Sequence, residues 1–275
     1  MSVLHTRGAR ISYSRTGAGE TVLLIQGVGA VGDAWTPQVE ALRYRFNVIT
    51  FDNRGIGASA ITEGRLTIES MADDALAILD AEGVDRCHVV GHSMGGLIAM
   101  QLALTSPRRV KSLTLLSTFP DGKTGSRLTL SNVFTGIRTR VGTKAMRRRA
   151  FLSLVLSRAG MQRENLSRLT TQMTNLFGRD LADQPAIIVK QLRAMSRFDP
   201  TWRLRCLASV RTLVVTGAED RIALPAYGRK LAAAIPGARY VELAKSGHAV
   251  PIESPALINR MLYEHMAVAK SRLAS

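Results

Sequence analysis

An apolar share of 46% over 275 residues is that of an ordinary globular protein with room for one large, well-buried domain. Two cysteines allow at most one disulfide, and Cys87 falls in an apolar, strand-like run, so a disulfide framework is excluded and both Cys87 and Cys206 are expected free; five scattered histidines offer no metal-binding spacing. The formal charge of +16 is concentrated, because residues 121–205 hold 17 Lys and Arg against 5 Asp and Glu.

The opening stretch, Met1 to Ser14, lacks the apolar run that a signal peptide or membrane span needs, so a soluble, cytoplasmic protein is expected. The first two dozen residues, including Ala9 to Ser14, can add an antiparallel edge to a sheet. Apolar runs then predict strands at Thr21–Gln26 and Phe46–Phe51. Over Thr67–Glu82 the residues Ile68, Met71, Ala72, Ala75, Ile78 and Leu79 recur at helical spacing, and Gly83 follows as a stop. A strand at Cys87–Val90 leads into a helix at Ser93–Leu104, closed by Ser106-Pro107, and a further strand covers Lys111–Ser117. From Pro120 to Cys206 the rhythm changes to basic, methionine-containing, helical sequence without a convincing strand. Strands at Arg211–Thr216 and Arg239–Leu243 and a helix from about Pro255 to Ala269 finish the chain. Strands alternating with helices predict an α/β fold with a mostly parallel sheet. Residues 1–119 and 207–275 form its expected core. Residues 120–206 form an expected helical cap insertion, lying over the strand ends where such sheets hold ligands.

The strongest local signal is Gly91-His92-Ser93-Met94-Gly95-Gly96, which follows a strand and opens an apolar helix. This is a G-x-S-x-G elbow in its required context. A serine in so tight a turn needs minimal neighbours two residues to either side, and the helix amides behind it favour a forming oxyanion. Three further segments follow the pattern of the α/β-hydrolase superfamily in order: Ile25-Gln26-Gly27-Val28-Gly29, then Asp52-Asn53-Arg54-Gly55-Ile56-Gly57-Ala58-Ser59, then Gly217-Ala218-Glu219-Asp220 with Ser246-Gly247-His248. With them the chain resembles that superfamily over nearly everything outside the cap. The resemblance implies the α/β-hydrolase fold and a catalytic triad of Ser93, Asp220 and His248, with no metal or organic cofactor. It also implies an oxyanion hole made by the backbone N–H groups of Val28 and Met94. Many relatives carry His-Gly where this chain has Gln26-Gly27, which bears on the shape of that loop.

The chemistry asks for the same partners, since a serine hydroxyl needs a base and the imidazole needs a carboxylate to set its tautomer. His5, His88, His92 and His265 compete with His248, but only His248 has a loop placement after a strand. For the acid, Glu219 and Asp121 are the alternatives to Asp220. The Asp52–Ser59 turn reads as structural, with Arg54 holding the loop.

In the cap, Arg147-Arg148-Arg149 adjoin Phe151, Leu152, Leu154, Val155 and Leu156. The plain reading is a helix packed by its apolar side with its arginines in water. The others are recognition of an anionic partner, such as an acyl carrier protein or an acidic substrate group, and transient attachment to acidic lipid; no nucleic-acid motif accompanies the charge. Met146, Met161, Met173 and Met195, with Phe151, Leu176 and Phe177, supply adaptable apolar groups for a pocket. The expected activity is hydrolysis of a carboxylic ester or a lactone with an apolar acyl or alcohol group. A carbon–carbon bond hydrolase or a perhydrolase/haloperoxidase-like relative is the alternative within the fold, and a hydrolase-like ligand receptor the alternative outside catalysis.

Overall fold

In the computed structural model, residues 1–126, 137–183 and 185–271 are described, so residues 127–136 and 184 of the expected cap lie outside the described residues. The strands are β1 (Ser2–Thr6), β2 (Ala9–Thr16), β3 (Glu20–Ile25), β4 (Phe46–Phe51), β5 (Ala60–Ile61), β6 (Cys87–His92), β7 (Val110–Leu116), β8 (Thr212–Gly217) and β9 (Arg239–Leu243). Among the described residues they make one sheet in the order β1-β2-β4-β3-β6-β7-β8-β9, with β5 beside β2. Pairing is parallel from β4 through β9 and antiparallel at β1, β2 and β5.

Period-2 alternation explains how one strand serves two cores. Val22 and Leu24 of β3 enter an apolar cluster with α1 (Thr36–Leu42) and the terminal helix, while Leu23 and Ile25 enter a second with α2 (Ile68–Ala81) and α3 (Met94–Thr105). All four are fully buried, each stabilising the fold by about 1.5–3 kcal/mol relative to exposure. Helix α2 starts on a capping box, in which Thr67 Oγ1 accepts from the Ser70 amide and Ser70 Oγ accepts from the Thr67 amide. It ends where Gly83 turns left-handed at φ +62° and the Val84 amide reaches back to the Leu79 carbonyl, a Schellman closure.

The segment between β7 and β8 contributes α4 (Gly122–Ser126), α5 (Lys144–Val155), α6 (Arg163–Phe177) and α7 (Ile187–Ser196). After β8 come α8 (Pro225–Ala234), α9 (Val250–Glu253) and α10 (Pro255–Ser271). The cap has its own small core, in which Leu152, Val155, Leu156, Leu169 and Met173 pack with Ala249 and Ile252 from beyond β9.

The antiparallel edge expected from the first two dozen residues is two strands wide, because Ser2–Thr6 pairs along β2 from Thr6↔Ala9 to Ser2↔Tyr13. Residues of β1 are mostly exposed on both faces, so no apolar alternation marks them in the sequence. Helices α1 and α8 also went unassigned; both open on a proline in the first turn and run only 7 and 10 residues.

The Asp52–Ser59 turn is tied down from within. Asp52 accepts from the Gly32 and Ala58 amides, and Ser59 Oγ donates to the Asp52 carbonyl. Arg54 forms a buried two-pronged pair with Asp74 of α2, at 2.6 and 2.7 Å, and so holds the loop.

Candidate active site

Four loops meet at the carboxyl ends of β3, β6, β8 and β9. Ser93 sits between β6 and α3 with φ +55° and ψ −120°, a backbone conformation that costs a serine about 1–3 kcal/mol. Its own amide donates to the Leu116 carbonyl, and its carbonyl accepts from Thr118 Oγ1 at 2.6 Å. Glycine is required on either side for reasons of space. A Cβ on Gly91 would lie 2.3 Å from the Gly95 carbonyl oxygen, and one on Gly95 would lie 2.1 Å from that of Ile25. The first clash runs across the turn; the second is with the end of β3, which a sequence pattern does not reveal.

His248 Nε2 accepts from Ser93 Oγ at 3.0 Å, and Nδ1–H donates to the Asp220 carboxylate at 2.9 and 3.1 Å. The three side chains thus form one hydrogen-bonded line, buried in every member. Asp220 is itself oriented, since its Oδ1 accepts from the Ile222 and Ala223 amides at 2.8 Å each. The alternative acids are occupied elsewhere. Asp121 accepts from the Thr124 amide and hydroxyl, both at 2.7 Å, and Glu219 accepts from the Arg158 amide. The competing histidines are likewise engaged or remote: His88 bonds Ser112 and Glu20 inside the sheet, His5 lies in β1, and His265 is buried in α10.

His92 does more than pack. Its Nε2–H donates to the His248 carbonyl at 2.9 Å, and the two rings lie 5.0 Å apart, so it braces the histidine loop from the elbow. Only the adjacency of His92 to Ser93 in the sequence hints at this.

Burial, with His248 adding in the same direction, lowers His92 to about 4, and burial with Arg211 lowers His265 to about 4. An unfolded histidine, at 6.5, takes up protons that these two refuse, so their contribution to stability is present above pH 6.5 and lost as pH falls toward 4. Urea unfolding between pH 7 and pH 4 should show stability falling by at most about 2.7 kcal/mol per pH unit from the two together. His265→Gln should flatten that slope; an unchanged slope would contradict the assignment.

Val28 lies in the loop after β3, and Met94 is the first residue of α3, where an amide has no intrahelical acceptor. Gln26 donates from Nε2 to the Phe51 carbonyl at 2.6 Å, while Asn53 Nδ2 donates to the Gln26 carbonyl. The base of this loop is therefore pinned to β4 and the turn after it. No grouping of three or more His, Cys, Asp or Glu side chains suited to a metal ion occurs among the described residues.

A cavity of about 530 Å³ opens above Ser93 and His248. Its walls are mainly apolar, with Trp35, Phe119, Phe151, Met173, Phe177 and Met195 among them, and Arg140 and Arg179 add charge. Two of the cap methionines thus reach the cavity. Met146 is instead half exposed, Met161 packs into the cap core, and the Leu176 side chain lies outside the described residues. In the basic run, Arg148 pairs with Asp180 at 2.6 and 2.5 Å while Arg149 is exposed.

Several bonds join the cap to the catalytic loops. The Ala249 amide donates to the Val155 carbonyl. Glu253 accepts from the Ser157 amide and hydroxyl on one oxygen and from the Gly247 amide on the other. Burial raises the Glu253 carboxyl above its ordinary value even though these donors favour its charge.

Comparison with known proteins agrees with this architecture. Residues 20–255 match the family model described as the alpha/beta hydrolase fold. A protein of Azorhizobium caulinodans named as carbamate hydrolase RutD is 33% identical over 263 residues, covering 95% of this chain and 97% of that protein. The enol-lactonase from Burkholderia xenovorans superposes with a TM-score of 0.80 at 27% identity, over 97% of this chain and all of the other. A thermophilic esterase from Thermogutta terrifontis gives a TM-score of 0.78 at 25% identity, with 95% and 94% coverage. Among the described residues no helix is long and apolar enough to cross a membrane.

Proposed function

The chain belongs to the alpha/beta-hydrolase family, and we propose that it is a serine hydrolase cleaving carboxylic esters, lactones included, through an acyl-Ser93 intermediate. The observation that carries this reading is the line from Ser93 Oγ through His248 to Asp220, set at the floor of an apolar cavity. As Ser93 Oγ attacks the carbonyl carbon, His248 Nε2 takes its proton and Asp220 stabilises the resulting imidazolium. The carbonyl π electrons move to oxygen, which the amides of Val28 and Met94 receive. Collapse breaks the bond to the leaving oxygen, which departs with the proton from His248. Water, deprotonated in turn by His248, attacks the acyl carbon and frees Ser93 and the acid.

The cavity walls fit an apolar acyl or alcohol group, and the flexible thioethers of Met173 and Met195 let it adapt to shape. A carbamate is a second substrate reading, favoured by the 33% identity to a protein so named. The same attack at a carbamoyl carbon leaves a carbamoyl-serine. A panel of an aryl ester, a lactone and an aryl carbamate with matched leaving groups separates the two. The ester reading expects kcat/KM on the ester or lactone at least about tenfold above that on the carbamate, a difference of about 1.4 kcal/mol in transition-state stabilisation. The reverse order would replace it with the carbamate reading, and turnover of none would overturn both.

A further inference from the structure

The base of the oxyanion loop is held by the core, but its tip is held by the cap. Gly29, the residue after Val28, has both of its main-chain polar groups engaged by cap side chains. Its N–H donates to Gln191 Oε1 of α7 at 2.8 Å, and its carbonyl accepts from Arg179 Nη1. Gly29 has φ +69°, and a Cβ there would approach Ile188 Cδ1 to 3.0 Å and Arg179 Nη2 to 3.1 Å, so the cap is in close contact with this peptide.

Gln191 is fully buried, yet its Nε2 has no hydrogen-bond partner among the described residues. Burying an amide nitrogen unpaired opposes folding, and a leucine of similar size would avoid that cost. What glutamine supplies that leucine cannot is an acceptor for Gly29. Arg179 likewise directs its guanidinium to the carbonyls of Gly29 and Asp183, over the Phe177 ring.

We propose that Gln191, through the Val28–Gly29 peptide, and Arg179, through the Gly29–Ala30 peptide, are positioning residues that hold the tip of the loop so that the neighbouring Val28 N–H faces the forming oxyanion. Fixing the plane of one peptide leaves the adjacent one free to turn only about the Val28 torsions. The oxyanion hole then depends on a contact between residues 162 positions apart, and the cap is part of the catalytic device as well as the pocket wall.

This inference rests on the acyl-serine reading, and one experiment keeps the two apart. The second-order rate of Ser93 labelling by a fluorophosphonate is measured for the wild type, Gln191→Leu and Gln191→Glu, with Ser93→Ala as the control, together with kcat and KM on an aryl ester. Gln191→Leu should slow both labelling and kcat by about 10- to 100-fold, because a small misplacement of a catalytic group has effects of that size. Its KM should stay within about threefold, since only transition-state binding is lost. Gln191→Glu, which keeps an acceptor for the Gly29 amide, should restore most of the rate. Wild-type labelling that does not require Ser93 would overturn the acyl-serine reading and this inference with it. Normal labelling of wild type and of a cooperatively folding Gln191→Leu, or equal losses in the Leu and Glu variants, would overturn the positioning role alone. If Gln191→Leu does not fold, Arg179→Met against Arg179→Lys is scored by the same two rates.

Discussion

Replacing Ser93 with alanine is expected to lower kcat on a short aryl ester by about four to six orders of magnitude, the range seen when a triad nucleophile is removed. The expectation rests on one distance, since the hydroxyl that disappears is the group 3.0 Å from His248 Nε2. The fold should hardly notice. Alanine keeps the Cβ and the strained backbone, the amide bond to Leu116 and the carbonyl bond from Thr118 are main-chain features, and no other protein group bonds this hydroxyl among the described residues. Steady-state kinetics with a thermal melt therefore separates loss of chemistry from loss of structure. Turnover within tenfold of wild type, in a protein free of contaminating esterase, would remove the proposed nucleophile.

Asp220→Asn is expected to cost about 10⁴ in kcat, the effect of putting a triad histidine into the wrong tautomer. The local bonding directs the amide. Oδ1 accepts from the Ile222 and Ala223 amides, so asparagine keeps its oxygen there and turns its NH₂ toward His248 Nδ1. Nδ1 must then accept, the ring proton moves to Nε2, and Nε2 can no longer take the proton of Ser93. Substrate binding is untouched, so KM should hold while kcat falls. Comparable kcat in Asp220→Asn and the wild type would point to another carboxylate, although Asp121 and Glu219 are already committed to Thr124 and Arg158.

Features that depend on a short stretch of chain were the legible ones. Phe46–Phe51 and Arg239–Leu243 are strands over the predicted limits, the first a fully buried run and the second marked by Tyr240, Val241 and Leu243, residue types that suit extended backbone or burial. The helix expected at Thr67–Glu82 runs from Ile68 to Ala81, with Thr67 and Gly83 at its ends. The elbow was readable because Ser93, Gly91 and Gly95 are adjacent in sequence. The loop order then nominated Asp220 and His248, which the structure brings to Ser93. Gln191, Arg179 and Glu253 carried no such sign. Each acts through a hydrogen bond to a distant backbone group, as Glu253 does to Ser157, and a main-chain amide leaves no mark on residue identity. Trp35 and Phe119 were missed as cavity walls for a related reason, because an aromatic side chain in a core protein is ordinarily packing.

The bonds that join the cap to Gly29, Ala249 and Glu253 bear on how molecules come and go. Swinging the whole roof aside would break them together and would disturb the histidine and oxyanion loops at the same stroke. Traffic is cheaper through a fixed doorway. Leu192, 42% exposed, and Ile137, 55% exposed, both border the cavity, so a change of rotamer at these two positions alters the width of the passage while the chemical machinery stays assembled.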